Sequence, residues 1–241
     1  MEKPKAIADL HVKIFGDGAG HDDILEMAGL PYIKGFTTNP TLLNQAGVTD
    51  YAGFAKEILS KVTSKPISFE VFSDDLAGME REARIITSWG TNVYVKIPVT
   101  NTKGESTSPL IEKLSAEGIA LNVTAILTTE QVTTVAGVLH PDTPSIVSVF
   151  AGRIADTGVN PLPIMRESKM LLSHLPKTEL LWASCREVYN IYEAEECGAD
   201  IITVPYSVLH KLGDIGKDLN EFSLDGVKAF YEAGKKAGLS I

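Results

Sequence analysis

Apolar, β-rich segments alternate with helical segments along the whole chain, and this alternation most limits what the chain can fold into. Each β-rich segment is followed by a stretch with helical spacing. Eight strands are predicted, at Ala6–Phe15, Tyr32–Thr37, Ile67–Phe72, Val93–Val99, Ala120–Leu127, Ser145–Phe150, Glu179–Ala183 and Ile201–Val204. Eight strand–helix units in 241 residues predict an α/β fold, a single (β/α)8 TIM barrel over residues 1–241.

Local signals place several of the helices. Thr49 precedes a segment with apolar residues at three- and four-residue spacing, which predicts a helix starting there. Thr128 and Gln131 have the spacing of a capping box, and Asp74 is a candidate cap for the helix after the third strand. The segment Glu221–Lys236 is amphipathic and predicts an extra C-terminal helix beyond the eight units.

A doubly wound parallel sheet is the competing architecture. That fold favours five or six strands, often with a glycine-rich phosphate fingerprint after the first. Residues 16–20 are glycine-rich but lack the fingerprint's spacing. The barrel is therefore preferred.

Composition limits the partners and the compartment. The formal net charge of −9 argues against a nucleic-acid surface. No apolar run approaches the ~18 residues of a membrane span, and the first residues lack the apolar stretch of a signal peptide. The two cysteines, Cys185 and Cys197, form no metal-binding pattern. Reduced thiols in a cytoplasmic protein, with no metal and no cofactor, are expected.

Lys96 stands alone in the apolar run Val93–Val99. An unpaired lysine in a buried strand costs several kcal/mol, so something must compensate for it. Either a carboxylate pairs with it, or burial lowers its pKa and makes the neutral amine available as a nucleophile.

Polar residues occur at the carboxyl end of seven consecutive predicted strands, where a barrel of this kind places its chemistry. Each has an ordinary alternative, such as a helix cap or a satisfied core hydroxyl, but together they surround Lys96. They are Asp17, Asn39, Glu70, Asn122, Thr124, Ser148, Arg153, Ser184 and Arg186.

The chemistry that this set supports is imine formation on Lys96. A neutral amine adds to a ketone to give a carbinolamine and then a protonated imine, which weakens the adjacent carbon–carbon bond. Asp17 and Glu70 are available to move protons. Asparagine and hydroxyl side chains suit a polyhydroxylated fragment, and Arg153 and Arg186 suit a phosphate.

Five sequence blocks in order resemble the transaldolase family, including its short branch with fructose-6-phosphate aldolase. The blocks are residues 35–41 (GFTTNPT), 95–98 (VKIP), 122–124 (NVT), 148–153 (SVFAGR) and 183–186 (ASCR). Gly18 departs from the family, which usually has a small hydroxylated residue after the first-strand aspartate. The resemblance implies an enzyme acting on sugar phosphates.

The resemblance also implies a role for each residue. Lys96 would form the imine, Asp17 would take the proton from the donor's C4 hydroxyl, and Glu70 would act through a water held by Thr124. The remaining positions would bind substrate. Asn39, Asn122 and Ser148 would hold the retained dihydroxyacetone unit, Arg153, Ser184 and Arg186 would bind the phosphate, and Thr38 and Phe150 are further substrate-binding positions.

Glu70 and Phe150 are of transaldolase type, because the aldolase-type members have glutamine and tyrosine there. The resemblance thus implies transfer of dihydroxyacetone from sedoheptulose 7-phosphate or fructose 6-phosphate to glyceraldehyde 3-phosphate or erythrose 4-phosphate, in the pentose phosphate pathway. A fructose-6-phosphate aldolase, a sulfo-sugar transaldolase and a non-catalytic sugar-phosphate-binding barrel remain as alternatives. The C-terminal helix of the short branch packs on a neighbouring subunit, which implies a homo-oligomer, a pentamer or a decamer.

Overall fold

The computed structural model describes residues 4–238 and has eight parallel strands in a closed barrel, in the order β1 to β8. The strands are β1 (Lys13–Asp17), β2 (Ile33–Thr37), β3 (Ile67–Glu70), β4 (Val93–Pro98), β5 (Leu121–Ile126), β6 (Ser145–Val149), β7 (Thr178–Trp182) and β8 (Ile201–Pro205). Every strand pairs with its sequence neighbour, and β8 pairs with β1 to close the ring. The predicted (β/α)8 barrel is confirmed.

Helices connect the strands on the outside. They are α1 (His21–Ala28), α2 (Pro40–Gln45), α3 (Tyr51–Lys61), α4 (Leu76–Thr87), α5 (Ser108–Ala116), α6 (Thr129–Ala136), α7 (Ala151–Asp156), α8 (Pro161–Leu171), α9 (Tyr189–Glu196), α10 (Tyr206–Leu209) and α11 (Leu219–Lys236). Short 3₁₀ turns occupy Ile7–Asp9 and His210–Asp214. None of the helices within residues 4–238 has both the length and the apolar character needed to cross a membrane.

Strand residues alternate between the helix layer and the barrel lumen. In β4, Val95 and Ile97 belong to the large apolar core under the helices, whereas Tyr94 packs in a second, smaller cluster. That smaller cluster lies in the barrel lumen and contains Phe15, Ile146, Leu181, Ala183 and Ile201. The cluster thus closes the lumen toward its amino end, where a partly exposed ion pair joins Lys13 and Glu179. The polar residues that line the candidate site lie toward the carboxyl end.

Gly35 shows how tightly that closed end is filled. A Cβ at this position would lie 2.5 Å from the ring of Phe15 on the neighbouring strand. Since real Cβ contacts are never this short, the glycine that opens the first motif makes room for the Phe15 ring beneath the polar residues.

Two local predictions were wrong. The first strand begins at Lys13 rather than Ala6, because residues 7–9 form a 3₁₀ turn and the segment meets β8 only from Lys13 onward. Asp75, not Asp74, caps α4 by accepting from the Gly78 amide, since the Asp74 carboxylate binds the backbone and hydroxyl of Thr102 in a neighbouring loop.

Other helix predictions agree with the structure. The capping box of Thr128 and Gln131 is present at the start of α6. The helix expected from Thr49 starts at Tyr51, because the Asp50 carboxylate provides the cap. The extra C-terminal helix is α11, which starts two residues before the predicted Glu221.

Candidate active site

Lys96 lies inside the carboxyl half of the barrel, with 7% of its surface exposed. Its position in β4 directs it to the lumen because Val95 and Ile97 on either side face the helices. The amine Nζ donates to the carbonyl oxygen of Thr38 at 3.0 Å and lies 3.2 Å from Glu70 Oε2. Of the two compensations that the sequence left open, the structure contains the paired carboxylate.

The pairing of β3 with β4 explains why this carboxylate meets this amine. Glu70 and Lys96 are direct cross-strand partners, and both strands run parallel with their side chains in phase. A one-residue slip in register would turn one of them toward the helices. The ion pair is therefore a consequence of strand register rather than of loop conformation.

Asp17 ends β1 and is half-buried in the same lumen. Its Oδ1 accepts from the hydroxyl of Thr37 on β2 at 2.8 Å, and that hydroxyl also contacts the Thr203 hydroxyl on β8. Burial raises the pKa of Asp17, while the charge of Lys96 and the Thr37 hydrogen bond oppose the rise and the charge of Glu70 adds to it. The net rise in pKa suits a carboxylate that exchanges a proton with a bound substrate.

A hydrogen-bonded layer lies directly beneath these charges. Asn122 Nδ2 donates to Ser68 Oγ at 2.9 Å, and Ser148 Oγ donates to Asn122 Oδ1 at 2.7 Å. The Thr38 hydroxyl donates to the Ser68 carbonyl. The side chains of Asn122 and Thr38 thus bond within the protein and do not line the cavity, whereas Ser148 does.

Thr124 is placed by an irregularity in β5. The pairing of β5 with β6 shifts register between Val123 and Ile126, and Ala125 has a φ of 62°. This bulge leaves Thr124 in the cavity lining, with its buried Oγ1 lacking a hydrogen-bond partner among residues 4–238. Buried hydroxyls of this kind ordinarily bind a water or a ligand.

The mouth of the cavity carries the two predicted arginines. The Arg153 guanidinium lies 4.7 Å from the centre of the Phe150 ring, and Arg186 pairs with Asp156 at 2.5 Å. Ser184, at the end of β7, has a φ of 63°. Cationic side chains held at an open rim are suited to a substrate phosphate.

Asn39 lies on the opposite side of the mouth. Its side-chain oxygen caps α2 by accepting from the Leu42 amide. This bond fixes the orientation of the Asn39 side chain at the start of the helix. Asn39 lines the cavity together with Thr41, Leu42 and Gln45 of the same helix.

These groups enclose one cavity of about 460 Å³. Ten of the twelve predicted site residues line it, all except Thr38 and Asn122: Asp17, Asn39, Glu70, Lys96, Thr124, Ser148, Phe150, Arg153, Ser184 and Arg186. Within residues 4–238, no group of three or more histidine, cysteine, aspartate or glutamate side chains is placed to hold a metal ion.

The sequence reasoning missed Thr37, Thr203 and Cys185, which also line the cavity. Alternation along the strands would have found Thr203, because it shares a face with the lumen residue Ile201. Burial raises the pKa of the Cys185 thiol to about 12, so this cysteine stays protonated beside Asp17.

Comparison with known proteins places this arrangement in a family. Residues 14–241 match the family model described as Transaldolase/Fructose-6-phosphate aldolase. The chain belongs to the transaldolase/fructose-6-phosphate aldolase family. The matched segment includes every residue of the cavity, and the resemblance stated from the five blocks is confirmed.

Relatives from diverse organisms align with most of this chain and over most of their own length. A probable transaldolase from Thermoanaerobacter sp. (strain X514) is 36% identical over 95% of this chain and 100% of its own. A probable transaldolase from Lactiplantibacillus plantarum is 35% identical over 93% and 100% of the two chains. One from Thermoplasma volcanium is 38% identical over 83% and 87%. The chain is a transaldolase-family enzyme.

A solved structure supports the fold. The crystal structure of dihydrodipicolinate synthase from Rhodopseudomonas palustris has a TM-score of 0.50 and 15% identity, covering 97% of this chain and 82% of the other. At this identity the likeness concerns the barrel alone.

Proposed function

We propose that this enzyme transfers a dihydroxyacetone unit from a ketose phosphate to an aldose phosphate through an imine on Lys96. The observation that carries the proposal is the Lys96 amine, which lies beside the Glu70 carboxylate at the floor of a cavity with two arginines at its mouth. Donors of the proposed kind are sedoheptulose 7-phosphate and fructose 6-phosphate.

Imine formation is the first step of the proposed reaction. Lys96 passes a proton to Glu70, and its lone pair adds to the C2 carbonyl of the donor to give a carbinolamine. Glu70 then returns the proton to the departing hydroxyl, so that water leaves and the protonated imine remains. The Thr124 hydroxyl, which has no hydrogen-bond partner among residues 4–238, is suited to hold that water.

Cleavage of the C3–C4 bond is the second step. Asp17 takes the proton from the C4 hydroxyl, the C4 carbon becomes an aldehyde, and the bonding electrons move into the imine to give an enamine. The aldose leaves, and the enamine attacks the carbonyl carbon of the acceptor aldehyde. Asp17 then returns its proton to the new hydroxyl, and hydrolysis of the imine releases the product ketose.

Binding of the substrate uses both ends of the cavity. Asn39 and Ser148 would hold the hydroxyls of the retained unit. Asn122 accepts from Ser148 and donates to Ser68, whose carbonyl accepts from Thr38, so Asn122 and Thr38 would support Ser148 from beneath. At the mouth, Arg153, Arg186 and Ser184 would hold the phosphate.

Transfer is favoured over free aldol cleavage by what lines the cavity at Phe150. This ring lies under Arg153 and has no hydroxyl to protonate the enamine carbon. The enamine is therefore expected to wait for an acceptor. Product formation from fructose 6-phosphate should require erythrose 4-phosphate as acceptor, because glyceraldehyde 3-phosphate would only regenerate the donor. Equal turnover without an acceptor would identify an aldolase.

The two arginines at the mouth fit more than one kind of substrate anion. A sulfonated ketose presents an anion to the same arginines, so the sulfo-sugar transaldolase remains the alternative donor class. Comparing kcat/KM for 6-deoxy-6-sulfofructose with that for fructose 6-phosphate decides between the two.

Trapping the imine tests the mechanism. Borohydride added with fructose 6-phosphate should attach a reduced three-carbon adduct to Lys96, detected by mass spectrometry of the intact protein and its peptides. Lys96→Met should abolish both the adduct and turnover, while circular dichroism shows a folded barrel.

Lys65→Met is the matched control. Lys65 is also partly buried and donates to the carbonyls of Ala28 and Leu30, but outside the cavity. Burial, with the nearby charge of Lys34, lowers its pKa, so it shows whether a deprotonatable lysine elsewhere is labelled. Labelling that survives Lys96→Met and disappears in Lys65→Met would contradict the proposal.

The proposal includes a homo-oligomer formed through α11. Within the described part of the chain, no residue of α11 is buried. Leu224, Val227 and Tyr231 recur at three- and four-residue spacing and are 51–67% exposed. Such a stripe is suited to a groove on a second copy, in a pentamer or a decamer.

Light scattering at micromolar concentration tests the assembly. Val227→Asp should lower the measured mass to that of the monomer, while Met170→Glu, at an exposed apolar residue on α8, should leave it unchanged. A wild-type monomer would contradict this part of the proposal.

A further inference from the structure

Within residues 4–238, Glu70 at the carboxyl end of β3 has a strand partner on one side only. The pairing of β2 with β3 covers only Ile67 and Ser68 of β3. Beyond that, the Thr38 amide bonds back to the Ser68 carbonyl and the chain turns into α2. On the other side the ladder with β4 continues through Glu70.

The hydroxyl of Tyr51 takes the place of the missing strand. It accepts from the Glu70 amide at 2.8 Å and donates to the Glu70 carbonyl at 3.2 Å. A single phenol thus satisfies both backbone groups of this residue, which otherwise would be left to water or unpaired. Because burial raises the pKa of Tyr51, the hydroxyl keeps the proton that it donates.

The ring of Tyr51 is itself held in place. It packs edge-on against Trp89 at 5.3 Å and Phe69 at 6.0 Å, and against Phe72 at 4.8 Å between ring centres. Aromatic contacts of this geometry hold the ring in one orientation. Tyr51 also starts α3, whose cap Asp50 fixes the backbone at that point. The hydroxyl therefore has little freedom to move away from β3.

We propose that Tyr51 is a positioning residue that holds the Glu70 carboxylate against Lys96. Tyr51 does not line the cavity, so it acts through the backbone of Glu70 rather than on the substrate. The inference rests on the proposed role of Glu70 in imine formation and hydrolysis. The 3.2 Å separation of Glu70 Oε2 from Lys96 Nζ then depends on a hydroxyl from α3, a helix outside the strand ladder.

Tyr51→Phe removes the hydroxyl and keeps the aromatic packing. We expect the rate of borohydride-trapped imine formation and kcat to fall about ten- to a hundredfold, as a displacement of about 1 Å in a catalytic group does. The KM for fructose 6-phosphate should change less than about twofold, because the arginines at the mouth are untouched.

A double-mutant cycle with Glu70→Gln separates positioning from general damage. Once Glu70 is replaced, Tyr51→Phe should cost less than about twofold in kcat, because residues that act as a unit are non-additive. A merely structural role would lower kcat by the same factor in both backgrounds, and that result would overturn the inference. Wild-type rates in Tyr51→Phe would also overturn it.

Tyr192→Phe is the matched control. Tyr192 likewise donates its hydroxyl to a backbone carbonyl, that of Lys5 at 2.9 Å, but remote from the cavity. Its kinetics should match those of the wild type. A loss equal to that of Tyr51→Phe would show that removal of any bound tyrosine hydroxyl has this effect, which contradicts a specific role.

Crystal structures of the wild type and Tyr51→Phe separate this inference from the proposed function. If the wild type forms no imine, the proposed function fails, and the measured distance from Glu70 to Lys96 still decides the positioning role. The variant should show the carboxylate withdrawn from the amine, and an unchanged distance overturns the inference.

A second variant guards against misfolding of Tyr51→Phe. p-Aminophenylalanine at position 51 keeps a donor for the Glu70 carbonyl but is a poorer acceptor for the Glu70 amide. It should give an intermediate kcat, and this difference from the wild type should disappear when Glu70→Gln is added. Full activity in both variants would overturn the inference.

Discussion

Gly152 occupies a position where any side chain would collide with the backbone of the active-site rim. It lies in α7 next to Arg153, and a Cβ added to it would lie 1.7 Å from the Ser184 carbonyl oxygen and 2.7 Å from the carbonyl carbon. Both atoms are backbone, so no rotamer change relieves the contact. In Gly152→Ala, α7 and the segment after β7 must separate by about 1.3 Å to reach a 3.0 Å contact.

The cost of that separation follows from the contacts that it breaks. The Gly152 amide donates to the Ala183 carbonyl at 3.2 Å, and losing such a bond costs about 1 kcal/mol. Overpacking adds about 1–3 kcal/mol. A loss of roughly 2–4 kcal/mol corresponds to a fall in Tm of roughly 5–15 °C for a chain of this length.

Activity should fall further than stability alone implies. The displaced groups are Ser184 and Arg153, which line the cavity mouth. Misplacement by about 1 Å costs about a hundredfold in rate, so kcat/KM for fructose 6-phosphate should fall by about that factor at a temperature where the variant is fully folded.

Calorimetry and steady-state kinetics check both numbers, with Gly137→Ala as the control. Gly137 ends α6 with a φ of −70°, and its added Cβ would meet its nearest atoms at ordinary contact distances of 3.5 and 3.6 Å. That variant should lie within about 1 kcal/mol of the wild type. A Gly152→Ala protein with wild-type Tm and kcat/KM would refute the reasoning from the contact with Ser184.

Three further predictions concern charge and hydrogen bonding. Asp156→Asn removes the carboxylate beside Arg186; because the pair is exposed and weak, KM for fructose 6-phosphate should fall about two- to threefold at low salt and return toward the wild-type value in ~0.5 M salt. Burial raises the pKa of Glu195, but hydrogen bonds from the side chain and backbone of His11 and the amide of Val12 lower it to about 2; the ionised form therefore stabilises the fold above the unfolded pKa. Urea unfolding should show Glu195→Gln less stable by about 2–3 kcal/mol near neutral pH, with the difference vanishing as the pH falls from about 4.5 to about 2. Thr203→Val removes the hydroxyl that supports the hydrogen bond to Asp17, so the acid limb of the kcat/KM profile should move up by a few tenths of a pH unit, and an unchanged limb would contradict that chain of bonds.

The strands could be predicted closely because period-two alternation and β-branched residues are local signals. Seven of the eight predicted segments differ from the observed strands by no more than two residues at either end. The first was overextended because residues 6–12 are apolar enough to resemble a strand. They instead form a 3₁₀ turn and a linking segment, fixed by hydrogen bonds to Glu195 on distant α9.

The candidate site could be predicted where a side chain lies within a strand or at its end, as Lys96 and Glu70 do. The sequence could not show which polar side chains form hydrogen bonds within the protein instead of lining the cavity. Asn122 and Thr38 look like the other site residues in the chain, but Asn122 on β5 donates to the Ser68 hydroxyl and Thr38, just after β2, donates to the Ser68 carbonyl. Tyr51 had no signal at all, because its partner is a backbone group on a strand outside its own segment.

Three energetically unfavourable features lie together at the carboxyl end of the barrel: a positive φ at Ala125, a positive φ at Ser184 and the buried Thr124 hydroxyl. Ala125 and Ser184, the non-glycine residues with positive φ among residues 4–238, both line the cavity. This conformation costs roughly 1–2 kcal/mol for each residue. The Thr124 hydroxyl is buried without a partner in the described chain, which costs about 1–3 kcal/mol more. Each cost would be avoided by a regular strand end or an apolar side chain, so stability alone does not account for them. A ligand or water that bonds to Thr124, and a phosphate at Ser184, would offset them when bound, which is the behaviour expected of a site preorganised for substrate.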